Sequence, residues 1–188
     1  MANGTLKVSN IQTSSGSGTI TIGQSGETVN IPSGVSNVLT PMFAAAIVSN
    51  QSVSDDTFTK AQFASEVIDT DSAYDNSTNY RFTVPSGAAG KYFVLLRLQI
   101  DSEANTNLDV AKAFIYKNGS AISSPTNYGQ GEINFAANPP RETGVVVSII
   151  IDLVAGDYLE AYGALEATDA SGGHFGSMSV FEGYRIGS

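Results

Sequence analysis

The chain has 188 residues, of which 41% are hydrophobic and 9% aromatic, enough for one packed core and too much for a disordered chain. Its net charge of −9 disfavours nucleic-acid binding, because an acidic surface repels phosphate backbones. The sequence has no cysteine, which excludes a disulfide framework and thiolate metal sites. No apolar run approaches the length of a membrane span.

Residues 1–40 differ in composition from the rest of the chain. They contain no aromatic residue, and they are rich in Gly, Ser, Thr and Asn. Polar and apolar residues alternate at 19–22 and 29–31, but strands this short do not close a core by themselves. Two interpretations remain open: an unstructured leader, or a β-forming arm that docks onto partner chains. We take the docking arm as the prediction for 1–40, followed by a folded domain at 41–188.

The N-terminus lacks the basic and apolar regions of a secretory signal peptide. If the protein acts outside a cell, we therefore expect it to be released by lysis.

Two apolar runs, 80–84 and 91–100, flank a turn that contains Pro85, Gly87 and Gly90. This composition predicts a hairpin-like pair of strands. In the second run, five residues share one face at the two-residue period of a strand: Tyr92, Val94, Leu96, Leu98 and Ile100. Phe93 and Leu95 fall on the opposite face. A strand that is apolar on both faces requires cover on both.

Further strands are predicted at 108–116, 145–151, 158–165 and 178–186. The dipeptide Asn118-Gly119 predicts a tight hairpin. Residues 119–143 are polar and contain three prolines, which indicates a surface excursion. With about eight to ten strands and short turns, the pattern predicts an all-β, antiparallel β-sandwich or jelly roll.

The sequence offers little support for catalysis. His174 is the one histidine, and its neighbours Gly172 and Gly173 indicate an exposed loop rather than a general base. We therefore expect no enzymatic activity and no cofactor. Asp69, Asp71 and Asp75 are weak candidates for calcium ligands, because carboxylate oxygens suit Ca²⁺, although such loop residues are usually only solvated.

The spacing of several residues resembles the globular heads of the complement q-subcomponent and tumour necrosis factor superfamily. The resemblance lies in Phe63, Asp69, Tyr74, Phe82, Gly90, Tyr92 and the turn Gly156-Asp157-Tyr158. The turn 117–119 and the closing segment 181–186 also resemble the family's. Val94 and Leu96 depart from it, because the family prefers aromatic residues there. The resemblance implies a jelly-roll fold and a homotrimer, and some family members bind calcium.

The alternation of residues 6–12 and 19–23 resembles the N-termini of tail-fibre and other structural proteins of marine bacteriophages. This resemblance implies a virion structural protein: a fibre, a tail appendage or a head decoration, extracellular after host lysis. Residues 1–40 would then bind neighbouring virion proteins, and the domain would bind a host-surface glycan or protein. The alternative function is a free, trimeric, lectin-like module that recognises glycan or protein.

The runs 91–100 and 145–151 each leave apolar residues on a second face, which soluble monomers avoid exposing. Related jelly rolls bury such a face around a threefold axis. The predicted trimer interface consists of Phe93, Leu95, Val146, Ile150 and Phe181. The alternative is that 119–143 folds back over this face within one chain. For ligand binding, the candidate loops are 101–107, 119–143 and 168–177.

Overall fold

A computed structural model of the chain describes residues 41–122, 128–135 and 137–187, together with the exposed Val8 and Ile11. The chain divides into two units, 1–37 and 38–188, and the second holds every strand described here. The rest of the predicted arm lies outside the described residues, so its docking role stays a prediction. None of the described residues belongs to a helix long and apolar enough to cross a membrane.

The described domain is all-β, and its strands form two antiparallel sheets, which confirms the predicted fold class. The strands are β1 (Met42–Ala46), β2 (Gln51–Val53), β3 (Thr59–Lys60), β4 (Ser65–Asp69), β5 (Tyr74–Asp75), β6 (Arg81–Thr83), β7 (Gly90–Ser102), β8 (Leu108–Lys117), β9 (Ser120–Ala121), β10 (Gln130–Asn134), β11 (Glu142–Leu153), β12 (Tyr158–Ala167), β13 (Gly173–Phe175) and β14 (Val180–Gly187).

The first sheet is organised around β7, which is paired on both edges. β11 runs along one edge of β7, while β14 and β13 share the other. β1 pairs with β14 and β4 with β1, while β2 pairs with β13. The second sheet has the order β10-β8-β12-β6-β5, with β3 beside β12 and β9 beside β8. The two sheets pack their apolar faces together, as in other β-sandwiches.

The inward face of β7 carries the predicted two-residue period. All five of its apolar residues are fully buried: Tyr92, Val94, Leu96, Leu98 and Ile100. From the second sheet, Leu159, Ala161 and Leu165 of β12 join the same core. The sequence prediction for this strand and its core face is therefore confirmed.

Aromatic rings fill the core where β1 meets β6. The Phe43 ring stacks on Phe82 with centroids 4.5 Å apart and on Tyr74 at 5.5 Å. The Phe43 ring also makes an edge contact with the Phe181 ring, with centroids 5.1 Å apart. The Phe181 and Phe63 ring centroids are 5.8 Å apart. The aromatic residues of the sequence motif thus make one contiguous cluster, which explains why their spacing is recognisable in the chain.

The placement of Phe181 corrects the predicted trimer interface. This side chain is 0% exposed within a single chain, so it is not available to a neighbouring subunit. The reason is the strand register: Phe181 lies opposite Leu96 of β7, whose side chain points into the sandwich. Residues directly opposite each other in a sheet point to the same face.

The predicted hairpin between 80–84 and 91–100 is wrong. β6 belongs to the second sheet, where it pairs with β12 and β5, whereas β7 belongs to the first. The connection through Pro85 therefore crosses from one sheet to the other. The two apolar runs meet face to face across the core, with the Phe82 and Tyr92 ring centroids 5.7 Å apart.

The hairpin at Asn118-Gly119 is confirmed. Both residues have positive φ, 53° and 79°, as a two-residue type I′ turn requires, and Lys117 pairs with Ser120. The turn also binds the Gly156-Asp157-Tyr158 turn. The Asp157 carboxylate accepts hydrogen bonds from the Asn118 side chain (2.8 Å) and the Lys117 ammonium (2.8 Å). The two sequence motifs therefore stabilise each other at one end of the sandwich.

The surface excursion predicted at 119–143 contains regular strands. Within it, β9 and β10 pair with β8, and β10 is an edge strand of the second sheet. β11 begins at Glu142, earlier than the apolar run indicated. Residues 123–127 and 136 lie outside the described residues.

The close approach of the two sheets at Gly163 generates a stability prediction. A methyl group at this position would clash with Leu98 Cδ2 and would lie 2.8 Å from the Phe175 ring. We expect Gly163→Ala to lower the free energy of unfolding by about 1–3 kcal/mol, because overpacking displaces buried side chains. Urea denaturation measures the loss. Gly144→Ala is the control, since the methyl group that it introduces would have no other atom within 4 Å. An equal loss in both variants would contradict the prediction.

Candidate functional site

The outer face of the first sheet exposes a broad apolar surface. Ile150 lies opposite Phe93 and Ser148 opposite Leu95 across the β11–β7 pair. Val146 is 57% exposed and Ile150 is 52% exposed, while Phe93 and Leu95 are half-buried. The structure thus brings four of the five predicted interface residues onto one surface, as the two-residue period indicated.

A groove continues this surface toward β4, and the sequence did not predict it. It encloses about 320 Å³ and is lined by Met42, Ala44, Ile68, Phe93 and Tyr184 together with Glu182. The Phe93 and Tyr184 rings form one wall, with centroids 5.6 Å apart. Residues 42–46 are a continuous apolar run in the sequence, but the partners that complete the groove depend on the pairing of β1 with β4 and β14.

The described part of 119–143 does not cover this surface, which bears on the alternative fold considered above. Residues 130–134 pair with β8 in the second sheet. Tyr128 reaches β11, where its hydroxyl donates to the Ile150 carbonyl (2.9 Å) and accepts from the Ile150 N–H (3.0 Å). This contact occupies the strand edge and leaves the Ile150 side chain exposed.

At its other end the same outer face is polar. His174 and Glu142 lie on either side of Asp101 in the strand register, so the three form one row across β13, β7 and β11. His174 Nε2 lies 2.9 Å from an Asp101 carboxylate oxygen. The Gln99 amide donates to both carboxylates, at 3.3 Å to Asp101 and 3.1 Å to Glu142.

The environment of Asp101 favours its protonated form. The residue is only 7% exposed. Burial raises the pKa of the Asp101 carboxyl, and the adjacent Glu142 carboxyl raises it further, whereas His174 acts in the opposite direction. The expectation of His174 as an exposed loop residue is therefore wrong: it lies in β13, partly buried and paired with a carboxylate.

The weak calcium candidates do not fit a calcium site. The Asp69 carboxylate accepts backbone N–H groups of Ala73 (3.0 Å) and Tyr74 (2.9 Å), so it holds its own turn. Asp75 does the same for Thr78 and Ser77, and these hydrogen bonds lower its carboxyl pKa. Within the described ranges, no three His, Asp or Glu side chains are arranged to hold a metal ion.

Several candidate binding loops meet at one end of the sandwich. The Asn107 side chain donates to Asp169 (2.8 Å) and Ser171 (3.1 Å), which joins the loops after β7 and β12. The Asn107 backbone N–H also binds the Pro140 carbonyl in the loop before β11. The turn at 118–119 binds residues 157–158 instead, apart from this group. The predicted loop set is thus divided between two locations.

The outer face of the second sheet carries an aromatic ladder that the sequence did not reveal. The Tyr116 and Tyr162 rings stack with centroids 4.0 Å apart, and Phe58 contacts Phe114 at 5.1 Å. Lys60 and Lys112 pair with Glu160 and Glu166 beside this ladder. Each ring packs on its neighbour, so the ladder stabilises cross-strand contacts of the sheet.

No family model matches this chain, and no curated protein matches it either. Solved structures match in fold. The globular domain of zebrafish complement 1qA protein is 13% identical, with a TM-score of 0.53 over 78% of this chain and 98% of its own. Murine APRIL at pH 5.0 is 8% identical (TM-score 0.55, 77% and 98% covered), and the Eiger TNF from S. frugiperda is 12% identical (TM-score 0.55, 78% and 92% covered). These likenesses show the fold: a jelly roll of the complement-q and tumour-necrosis-factor type.

The turn at Asp69 provides a test of the structural role against calcium binding. We expect Asp69→Ala to lower the free energy of unfolding by about 1–3 kcal/mol, because it leaves part-buried N–H groups without an acceptor. Asp71→Ala is the control, since the Asp71 carboxylate accepts from the hydroxyl of the adjacent, exposed Thr70, and it should cost less than about 0.5 kcal/mol. A calcium-induced rise in Tm that Asp69→Ala abolishes would contradict the structural role.

Proposed function

We propose that this protein is a homotrimeric binding module whose subunits associate through the outer face of the first sheet, and that it is not an enzyme. The observation that carries the proposal is the apolar surface formed by Phe93, Leu95, Val146 and Ile150. Soluble monomers rarely leave large contiguous apolar patches in water. A second and third copy of the chain would remove this surface from solvent.

The physical driving force is apolar burial. Each Å² of apolar surface removed from water contributes roughly 25 cal/mol, from which the entropy cost of association must be subtracted. The groove beside Phe93 and Tyr184 extends the surface across to β4, so it is wide enough to accept side chains of a neighbour. The number of subunits is inferred from the complement-q and tumour-necrosis-factor resemblance, in which such a face is buried around a threefold axis.

In this arrangement the loops that Asn107 joins at one end of the sandwich stay free for ligands. These loops contain Asn, Ser, Asp and Gly, whose side chains and backbone suit adaptable hydrogen bonding. Three copies of the same loops would bind a repetitive surface with avidity, because the second and third contacts are intramolecular. A host-surface glycan or protein fits this requirement.

We further propose that the module is a structural component of a bacteriophage virion, attached to neighbouring virion proteins through residues 1–40. The support is the composition of this segment and its resemblance to N-termini of phage structural proteins. The acidic, cysteine-free sequence is compatible with this role. The alternative is a free, lectin-like trimer with the same fold, and attachment to particles distinguishes the two.

The self-association surface is tested with the double variant Val146→Lys/Ile150→Lys. Both positions are exposed in the single chain, so we expect each subunit to fold. We expect the variant to be monomeric at concentrations at which the natural protein is a trimer, because burying two lysines without partners costs several kcal/mol. Light scattering after size-exclusion chromatography measures the mass.

Val154→Lys is the matched control for this experiment. Val154 is 62% exposed and lies beyond the end of β11, in the turn that leads to β12. The control should remain trimeric. A natural protein that is monomeric at micromolar concentration would contradict the proposed trimer, as would a trimeric double variant.

The docking role of the arm is tested with a chain that begins at Pro41. Residues 38–188 form a compact unit with a hydrophobic core, so we expect the shortened chain to fold and trimerise. We also expect it to be absent from phage particles that incorporate the full chain, as measured by quantitative mass spectrometry of purified particles. Equal incorporation of both chains would identify the arm as a leader, and absence of both would favour the free lectin-like module.

A further inference from the structure

The polar row His174–Asp101–Glu142 lies on the same sheet face as the proposed association surface. Gln99 and Arg97 connect them along β7, and Val146 lies opposite Arg97 in β11. A neighbour that covers Val146 and Leu95 would therefore reduce the access of water to Gln99 and to the row beside it. The row and the apolar surface are parts of one continuous face.

The geometry keeps two carboxyl groups close together. Gln99 is held by the Met178 N–H, which donates to its side-chain oxygen at 3.0 Å. Its amide nitrogen then donates to Asp101 and Glu142 at once, so both carboxylates converge on one donor. When both carboxyls are ionised and His174 is neutral, the row carries two negative charges with no cation among them.

The charged groups around Asp101 come from three strands. Glu142 faces it from β11 and His174 from β13, where the next residue across is the uncharged Ser52 of β2. On β7 itself, Arg97 donates to the Met178 carbonyl at 2.9 Å. The next charged residues in sequence are Glu103, just after β7, and Arg141, just before β11. Both are exposed to solvent. Besides its burial, Glu142 and His174 are therefore the groups that act on the Asp101 carboxyl.

We propose that self-association of this chain is linked to proton uptake by the row His174–Asp101–Glu142, so that the trimer strengthens as the pH falls below neutrality. This inference rests on the proposed self-association. Covering the row removes water, and desolvation disfavours its two negative charges more in the trimer than in the monomer. Three copies also bring their rows into one assembly, which adds repulsion between like charges.

The sign of the effect follows from linkage. Acidification favours whichever state binds more protons, and the desolvated row in the trimer holds a proton at a higher pH than the same row in the monomer. As the pH falls, the trimer therefore takes up protons that the monomer does not. The raised pKa of Asp101 in the single chain already shows the direction in which burial acts.

The test compares the pH dependence of the trimer's dissociation constant among single-charge variants of the full chain. Sedimentation equilibrium at constant ionic strength measures it between about pH 8 and about pH 5.5. For the natural protein we expect the constant to fall at least tenfold, roughly one pKa unit at one site. Glu142→Gln, at an exposed position, should reduce this change to less than about threefold.

Asp152→Asn is the matched control. It also removes one negative charge from the outer side of β11, but Asp152 pairs with Lys91 at 3.3 Å at the opposite end of the strand. It should keep the pH dependence of the natural protein, which separates the row from the general decrease in net charge. Asp101→Asn, checked for folding by circular dichroism, should behave like Glu142→Gln.

Each outcome has one meaning. A trimer whose dissociation constant is independent of pH, or changes equally in Glu142→Gln and Asp152→Asn, overturns the proton linkage and leaves the proposed function intact. A protein that is monomeric at every pH overturns both. A strong pH dependence that only the row variants reduce supports the linkage.

Discussion

The structure depends on β7 being a central strand with one fully buried face. Its five inward side chains occupy the middle of the core, and both of its edges are hydrogen-bonded, to β11 on one side and to β13 and β14 on the other. Successive residues of a strand point to opposite faces. The burial of Tyr92, Val94 and Leu96 therefore places Phe93 and Leu95 on the outside. The same alternation that closes the core creates the apolar surface proposed for self-association.

β11 repeats this arrangement at the edge of the sheet. Val145, Val147 and Ile149 are buried, while Val146 and Ile150 point outward. Among the described residues no strand pairs with the outer edge of β11, and an open edge of this length invites unwanted strand pairing. Tyr128 blocks part of it, because one hydroxyl both donates to and accepts from the Ile150 backbone. Pairing of another strand along this part of the edge is therefore disfavoured.

The outer face changes in character along the strands. Apolar residues dominate where β7 pairs with β14 and β14 with β1, and carboxylates and a histidine dominate where β7 pairs with β13. Apolar contacts are non-directional and contribute affinity. Charged groups at an interface make binding depend on pH and salt, and they fix the alignment of the two partners. The outer face of the first sheet therefore carries both an apolar surface and a row of charged groups. The loops joined by Asn107 lie at one end of the sandwich and are held by their own hydrogen bonds.

Much of the fold could be predicted from local signals. The two-residue period located the long strands and the inward face of β7, and Asn118-Gly119 located a hairpin, because each depends only on neighbouring residues. The outward position of four of the five predicted interface residues followed from the same period. The prediction failed where long-range pairing decides: β6 and β7 are adjacent in sequence but belong to different sheets. The polar segment Gln130–Asn134 forms a strand because β8 offers it an edge.

What the sequence by itself determined is which residues alternate along each strand, since alternation is a property of the extended backbone. Which of the two faces turns inward was decided by register. The run 180–186 has mixed residues on both faces, and Phe181 is buried because it pairs with Leu96. The row of His174, Asp101 and Glu142 arises in the same way, from three strands distant in sequence. Only the tertiary structure brings these side chains together, because cross-strand contacts depend on pairing that no local pattern encodes.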